Sequence, residues 1–163
     1  MKKTLSISPT VNEPQRDLLN WVSEEAEKCE SKVDAAVDFA RSLGRELPFP
    51  RDGFTSALWS ALATIGAVDL TVARAVEPHL DALAILNQAG VTDTSDIGVN
   101  EESTWGVFAA EAPDLSVRAE YIDGRWVLDG TKAWCSLAGS LSHALVTAFT
   151  GPSTRRLFAV PLR

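Results

Sequence analysis

The clearest local pattern in the sequence lies at residues 117–136, which read VRAEYIDGRWVLDGTKAWCS. Apolar and polar residues alternate through 117–121 and again through 125–128, as they do in strands with one buried face. Asp123-Gly124 separates these two runs and is a strong signal for a tight hairpin turn. Asp129-Gly130 predicts a second such turn, followed by a strand from 131 to 134.

The residues on either side of this segment extend the β prediction. Residues 144–149 are typical of a strand buried on both faces, and 151–153 predict a turn into a further strand at 156–162. With another strand at 105–111, about six short strands follow at close spacing, which predicts an antiparallel sheet or barrel. The last strand runs to Arg163 with no turn or tail. We therefore expect further chain, or a partner, to cover it.

The first half of the chain predicts helices. From Pro14 to Ala40 the apolar residues recur at spacings of three, four and seven, which is the period of an amphipathic helix. Gly44 is expected to end this segment. Residues 47–53 contain two prolines and a glycine and predict a loop.

A second helical segment follows this loop. Thr55 or Ser56 is expected to cap it, because a hydroxyl can accept from a free backbone N–H. Residues 58–76 are nearly all small or apolar, which predicts a helix buried on most of its surface, within a bundle or against a partner. Pro78 is expected to kink this helix or to open another, which Gly90 ends.

The helical pattern of the first half and the strand pattern of the second half predict an α+β protein, with an N-terminal α-helical bundle followed by an antiparallel β-barrel or sheet domain. Residues 91–103 are polar and rich in turn formers, so we place the junction there. The predicted domains are an N-terminal helical domain at 1–100 and a partial β domain at 101–163.

Composition excludes several classes of function. Among 163 residues, 15 Lys and Arg against 22 Asp and Glu give a net charge of −7, which disfavours binding to nucleic acid or to anionic membranes. Cys29 and Cys135 are far apart, and two histidines are few, so no disulfide framework and no metal site is predicted. No apolar leader follows Met1, and no apolar stretch is long enough for a bilayer. We expect a cytoplasmic protein.

Three clusters carry candidate chemistry. Ser140 or Ser142 beside His143 suggests a hydrolase, but the pattern is not a nucleophile elbow. Trp134-Cys135-Ser136 could stack a flat ring and hydrogen-bond its edge, whereas spacing alone favours a core Trp with a turn Ser.

The third cluster contains several charged side chains around one histidine in the second helical segment. It is either a polar site at a helix junction or, as we favour, an Arg74–Glu77 pair with helix-end charges. Its members are Asp69, Arg74, Glu77, His79 and Asp81.

The order of elements resembles the acyl-CoA dehydrogenase family, from its N-terminal helical domain into its middle β domain. The pattern W-x-L-x-G-T-K-x-W, followed by a small or β-branched residue and then Ser or Thr, is similar to that family's flavin-contacting signature, and here occupies 126–136. The pattern of residues 69–82 is similar to a bacterial branch of the family. The resemblance covers roughly 55–163, with 14–50 fitting loosely as the first helices.

The resemblance implies FAD-dependent α,β-dehydrogenation of an acyl thioester, in which a carboxylate removes the α-proton and the β-hydride passes to the flavin. It also implies a homo-oligomer, and a C-terminal helical bundle that would follow the β domain. The base of most members lies in that bundle, so no acidic residue of this chain is assigned as catalytic. A missing domain or a second subunit would complete the active site.

By the same resemblance, Trp134 packs against the flavin ring and Ser136 hydrogen-bonds near its reactive nitrogen. Phe108, Ala110 and Glu111 belong to the strand whose backbone meets the pyrimidine edge of the flavin.

Two positions depart from the family pattern. Ala110 replaces a hydroxyl-bearing residue, and 111–114 shortens a glycine-rich turn that helps to hold flavin and thioester. These departures leave a second hypothesis open, namely a non-enzymatic scaffold or a small-ligand or flavin-binding module.

Overall fold

The computed structural model describes residues 3–8 and 10–162, and the chain divides into two compact units, Met1–Gly90 and Val91–Arg163. The first unit is helical and the second is built on a sheet, so the α+β class is confirmed. Arg163, after which further chain or a partner was expected, lies outside the described residues, as do Met1, Lys2 and Pro9.

The helical unit packs its helices in two pairs. Within the described residues its helices are α1 (Glu13–Lys28), α2 (Val33–Glu46), α3 (Thr55–Val68) and α4 (Leu70–Gln88). Helix α1 packs mainly against α3, and α2 against α4. Fully buried side chains from all four helices form the core, among them Val22, Ala36, Ala40, Leu43, Ala61, Ile65, Val72 and Val76.

The first helical segment differs from the prediction in two ways. It is interrupted at 29–32, where Glu30 and Ser31 adopt left-handed backbone with φ of 50° and 57°. Gly44 does not end α2, which continues to Glu46. A Cβ at position 44 would lie 2.5 Å from Leu83 Cδ1 and 3.1 Å from His79 Nε2. This glycine therefore permits the close approach of α2 to α4.

The expectation of one buried helix over 58–76 is wrong, because the helix breaks at Asp69. One carboxylate oxygen of Asp69 accepts from the backbone of Thr71 at 2.7 Å and of Val72 at 3.3 Å, which caps α4. The other accepts from the hydroxyl of Ser31. Trp59 and Leu70 are 54% and 76% exposed, so the apolar surface of this region is only partly covered.

Two further helix predictions are corrected. Neither Thr55 nor Ser56 caps α3, which begins at Thr55 and has no side-chain cap. The Thr55 hydroxyl donates instead to the carbonyl of Pro50 at 3.4 Å. Pro78 does not open a new helix, because α4 continues through it.

The second unit contains a mixed sheet, so the expectation of an antiparallel sheet or barrel of about six strands is wrong. After a short 3₁₀ helix at Ser95–Ile97, the strands in the described chain are β1 (Trp105–Phe108), β2 (Val117–Ile122), β3 (Arg125–Gly130), β4 (His143–Phe149) and β5 (Arg155–Pro161). Antiparallel hairpins join β2 to β3 and β4 to β5, whereas β1 and β2 run parallel to β4. A parallel neighbour requires a long connection, and residues 109–142 provide it for β1.

The two Asp-Gly pairs have different roles. Asp123-Gly124 forms the predicted hairpin turn, with φ of 49° and 83°, as a mirror-image turn requires. Asp129-Gly130 is not a turn, since both residues pair with β2 as the last two of β3. Residues 131–134 do not form the predicted strand.

Strand β4 is the centre of the sheet. It pairs along its whole length with β5, and on its other side with β1 and, through one bridge, with β2. Its residues are buried on both faces, as predicted for 144–149. The end of β1 and the segment after β3 therefore both lie beside β4.

Candidate functional site

The two parts of the chain from which the site residues were predicted meet beside β4. The Lys132 ammonium donates to the Thr147 carbonyl at 3.1 Å and to the Thr147 hydroxyl at 2.7 Å. That hydroxyl donates in turn to the carbonyl of Ala109 at 3.2 Å, immediately after β1. This hydrogen-bond chain ties the segment that carries Trp134 and Ser136 to the segment that carries Ala110 and Glu111.

Trp134 is 74% exposed, so it is not the core residue that spacing alone favoured. Its φ of 60° lies in the left-handed region, which is uncommon for a residue other than glycine. Leu137 shares this conformation, with φ of 66°. Ser136 is exposed, and its hydroxyl forms no hydrogen bond with any residue that the structure describes. A flat aromatic surface and a hydroxyl are thus both accessible.

The predicted residues at the end of β1 divide into one structural residue and two exposed ones. Phe108 is 5% exposed and pairs with Val146, so only its backbone lies at the strand end. Ala110 and Glu111 are exposed, and their N–H and C=O groups make no hydrogen bond within the described chain. Such groups can accept and donate at the polar edge of a ring.

The carboxylate of Glu111 is already engaged. It pairs with Arg155 at the start of β5, with 2.7 Å between Oε1 and Nη1. The Arg155 guanidinium also lies over the ring of Phe149, 5.8 Å from its centroid. The Glu111 carboxylate therefore belongs to an exposed ion pair.

Cys135 lies between Trp134 and Ser136 and is half-buried. Its thiol donates to the Lys132 carbonyl at 3.3 Å. Burial raises the pKa of the Cys135 thiol, and the Lys132 ammonium opposes the shift. A thiol with a raised pKa is a poor nucleophile at neutral pH, so Cys135 is a structural residue here.

The side chains of Ser142 and His143 form hydrogen bonds that connect the start of β4 to Thr104 and Ile97. The Ser142 hydroxyl lies 2.8 Å from His143 Nδ1, and His143 Nε2 lies 2.9 Å from the Ile97 carbonyl. Since a carbonyl only accepts, we assign the proton to Nε2, which leaves Nδ1 to accept. The Ser142 hydroxyl also accepts from the backbone N–H of Thr104 at 2.8 Å. His143 is buried and faces a carbonyl rather than a carboxylate, so the geometry gives a hydrolase no support.

The charged cluster around α4 is not one site. Arg74 and Glu77 form an exposed pair at 2.7 Å, as favoured from the sequence. Asp69 caps the helix, and Asp81 has its pKa raised by burial. His79 is buried, and burial first, then Arg41 and Arg45, lowers its pKa to about 4.

The helical unit contains a small, mostly apolar cavity beside Asp81. Its volume is about 50 Å³, and Leu47, Phe49, Leu58, Leu62 and Leu83 are among its lining residues. Small-molecule sites usually occupy roughly 300–1,000 Å³. This cavity is therefore too small for a flavin or a thioester.

Lys132, Thr147 and Arg155 belong to the candidate site but were not singled out from the sequence. Lys132 stood within the quoted pattern, but nothing local indicated that its ammonium reaches Thr147, 15 residues away. Arg155 pairs with Glu111 across 44 residues, which no local pattern predicts.

Neither membrane spans nor metal clusters are found in residues 3–8 and 10–162. No helix there is both long and apolar enough to cross a bilayer. No three His, Cys, Asp or Glu side chains lie close enough together to hold a metal ion.

Similarity to known proteins does not identify this chain. Comparison with protein-family models, with curated proteins and with solved structures gives no significant match.

Proposed function

We propose that the β unit binds the isoalloxazine ring of FAD, in a protein that resembles the flavin-dependent acyl-CoA dehydrogenases. The observation that carries this proposal is the hydrogen-bond chain from Lys132 through Thr147 to Ala109. It ties the segment that carries the exposed Trp134 to a strand end whose backbone groups have no partner in the described chain. A flat ring with a polar edge needs an aromatic surface and backbone donors and acceptors together.

The residues present fit such a ring. Trp134 would stack on it, Ser136 would donate to a ring nitrogen, and the backbone of Ala110 and Glu111 would meet its polar edge. A bound flavin would supply a hydride acceptor. The chain's own residues would bind and orient the ring and exclude water from one of its faces.

The substrate that we propose is an acyl thioester in the cytoplasm, and the assembly a homo-oligomer. The resemblance assigns no acidic residue of this chain as the base, and the carboxylate of Glu111 is engaged in an exposed ion pair with Arg155. Proton removal would therefore depend on a carboxylate from a second subunit or a further domain.

The test is flavin retention by the purified chain. The protein is incubated with FAD and desalted, and its visible absorption is recorded for the wild type, W134A, S136A and W59A. Trp59 is the matched control, since it is also an exposed tryptophan but lies on α3. Stacking on an aromatic side chain contributes about 1–3 kcal/mol, so W134A should weaken binding by roughly 5- to 150-fold. W59A should bind as the wild type does.

A non-enzymatic scaffold is the second candidate, and two observations favour it. Ala110 lacks the hydroxyl of the family pattern, and Glu111 is held by Arg155. On this hypothesis W134A and S136A alter no ligand affinity beyond effects on stability. A selective loss of flavin from folded W134A would exclude the scaffold, and a colourless wild type in excess FAD would exclude the flavin site.

A further inference from the structure

Lys132 places a positive charge at the candidate site. Its ammonium has three N–H donors, and the two hydrogen bonds it makes are both to oxygens of Thr147, which is neutral. No carboxylate pairs with it among residues 3–8 and 10–162. The side chain is half-buried, so water screens this charge less than it screens the exposed lysines of the helical unit.

The position of this charge is set by two segments at once. Lys132 lies two residues before Trp134, and two successive hydrogen bonds through the Thr147 hydroxyl link its ammonium to the carbonyl of Ala109. The ammonium therefore lies where the Trp134 segment meets the unpaired backbone of Ala110. A ligand that touches both segments would lie beside it.

A partly buried charge without an opposite charge favours a ligand that provides one. We propose that Lys132 makes this site selective for the negatively charged form of its ring ligand, an inference that rests on the proposed flavin function. Oxidised flavin is neutral in its ring, and uptake of two electrons and one proton leaves the ring with one negative charge. Lys132 thereby holds the reduced ring more tightly than the oxidised ring and raises the reduction potential of the bound flavin.

Thr147 has a separate role as a positioning residue. Its hydroxyl accepts from Lys132 and donates to Ala109, so it connects the charge to the strand end. Thr147→Val removes this connection and keeps the charge. It should weaken the binding of both flavin forms together, whereas loss of the Lys132 charge should weaken the binding of one form more than the other.

The experiment compares the bound flavin in five proteins: wild type, K132Q, K132R, T147V and K32Q. Lys32→Gln is the matched control, because it removes one charge from an exposed lysine that pairs with Glu30 in the helical unit. FAD affinity is measured by fluorescence titration, and the potential by dithionite reduction against a reference dye. We expect K132Q to lose about tenfold more affinity for the reduced ring than for the oxidised ring. For a two-electron couple this equals about 30 mV of potential.

The outcomes separate the two proposals. K132R should keep the wild-type potential, since arginine retains the charge, and K32Q should keep it as well. A wild type that holds FAD, with K132Q at the potential of K32Q, overturns the role of Lys132 and leaves the flavin site standing. A wild type that holds no FAD overturns both. If K132Q does not fold by circular dichroism, K132M replaces it and the same comparison with K32Q decides.

Discussion

Replacing Gly130 with alanine should distort the end of the β2–β3 hairpin and abolish the candidate site, because no side chain fits there. The φ of Gly130 is 123°, and an added Cβ would lie 2.1 Å from the carbonyl oxygen of Ser116. The rotation of a side chain cannot relieve a clash with backbone. The end of β3 must therefore move, and the hydrogen bond from Thr131 N to Ser116 O, now 3.1 Å, is lost.

The cost follows from these two effects. Backbone held in a region that alanine avoids costs about 1–3 kcal/mol. A lost backbone hydrogen bond adds about 1 kcal/mol. The sum of about 2–4 kcal/mol is a large part of the roughly 5–15 kcal/mol by which a domain is usually stable.

Gly124→Ala in the same hairpin is the matched control. Gly124 also has positive φ, 83°, but nothing lies within 4 Å of an added Cβ. Its cost should stay near 1 kcal/mol, the value for backbone conformation alone.

Urea unfolding measures both variants through the tryptophan fluorescence of the β unit, which includes the buried Trp105 as well as Trp126 and Trp134. A Trp21→Phe, Trp59→Phe background removes the signal of the helical unit. G130A should lose about 1–3 kcal/mol more stability than G124A, and its flavin retention should fall with it. Equal midpoints for the two variants would show that the approach of Gly130 to Ser116 does not matter.

Three other perturbations test the structure. The pKa of His79 is about 4 in the folded state and 6.5 in the unfolded chain, so acidification protonates the unfolded state first. The free energy of unfolding should therefore be highest above pH 6.5 and fall by roughly 3 kcal/mol as the pH drops to 4. The urea midpoints of the wild type and H79Q should therefore converge on acidification. The Thr64 hydroxyl accepts from the Leu5 N–H at 2.9 Å and donates to the Leu5 carbonyl at 3.2 Å, and Thr64→Val removes both hydrogen bonds. The Leu5 amide should then exchange with D₂O faster, while the amide of Ala61 in α3 stays protected. Glu111→Gln breaks an exposed ion pair with Arg155 and should cost less than about 1 kcal/mol, a difference that 1 M NaCl removes in urea unfolding.

Features encoded within a few residues were predicted well. The Asp123-Gly124 turn and the strand at 144–149 formed as their patterns indicated, since turn chemistry and strand period act locally. The α+β class followed from the same local signals.

The errors occurred where a residue serves a distant contact. Gly44 was interpreted as a helix stop, but it permits the close approach of α4 at His79. Gly130 was interpreted as part of a turn, but it permits the close approach of the backbone at Ser116. Asp69 was assigned to the charged cluster, but its role as the cap at a helix break was missed because the apolar pattern continued on both sides of it. The parallel pairing of β1 with β4 joins segments that no local pattern relates.

For the candidate site, the residues themselves singled out Trp134 and Ser136, and the resemblance added their roles and the strand end at 108–111. It did not indicate that Thr147 connects them, because that contact depends on the sheet topology. The exposure of Trp134 also depends on a left-handed backbone that composition does not reveal.

The parallel pairing of β1 with β4 affects the chain while it is being made. Thr104 and Ser142, which bond to each other just before the two strands begin, are 38 residues apart. At about 5–20 residues per second, β1 therefore waits roughly 2–8 s for its partner to be synthesised. During that time Trp105 and Phe108, which end up buried, have no strand to cover them. A translational pause between residues 109 and 142 would prolong this exposure and increase co-translational aggregation. A pause after β5 has emerged from the ribosome would not, because β4 is then available to pair with β1.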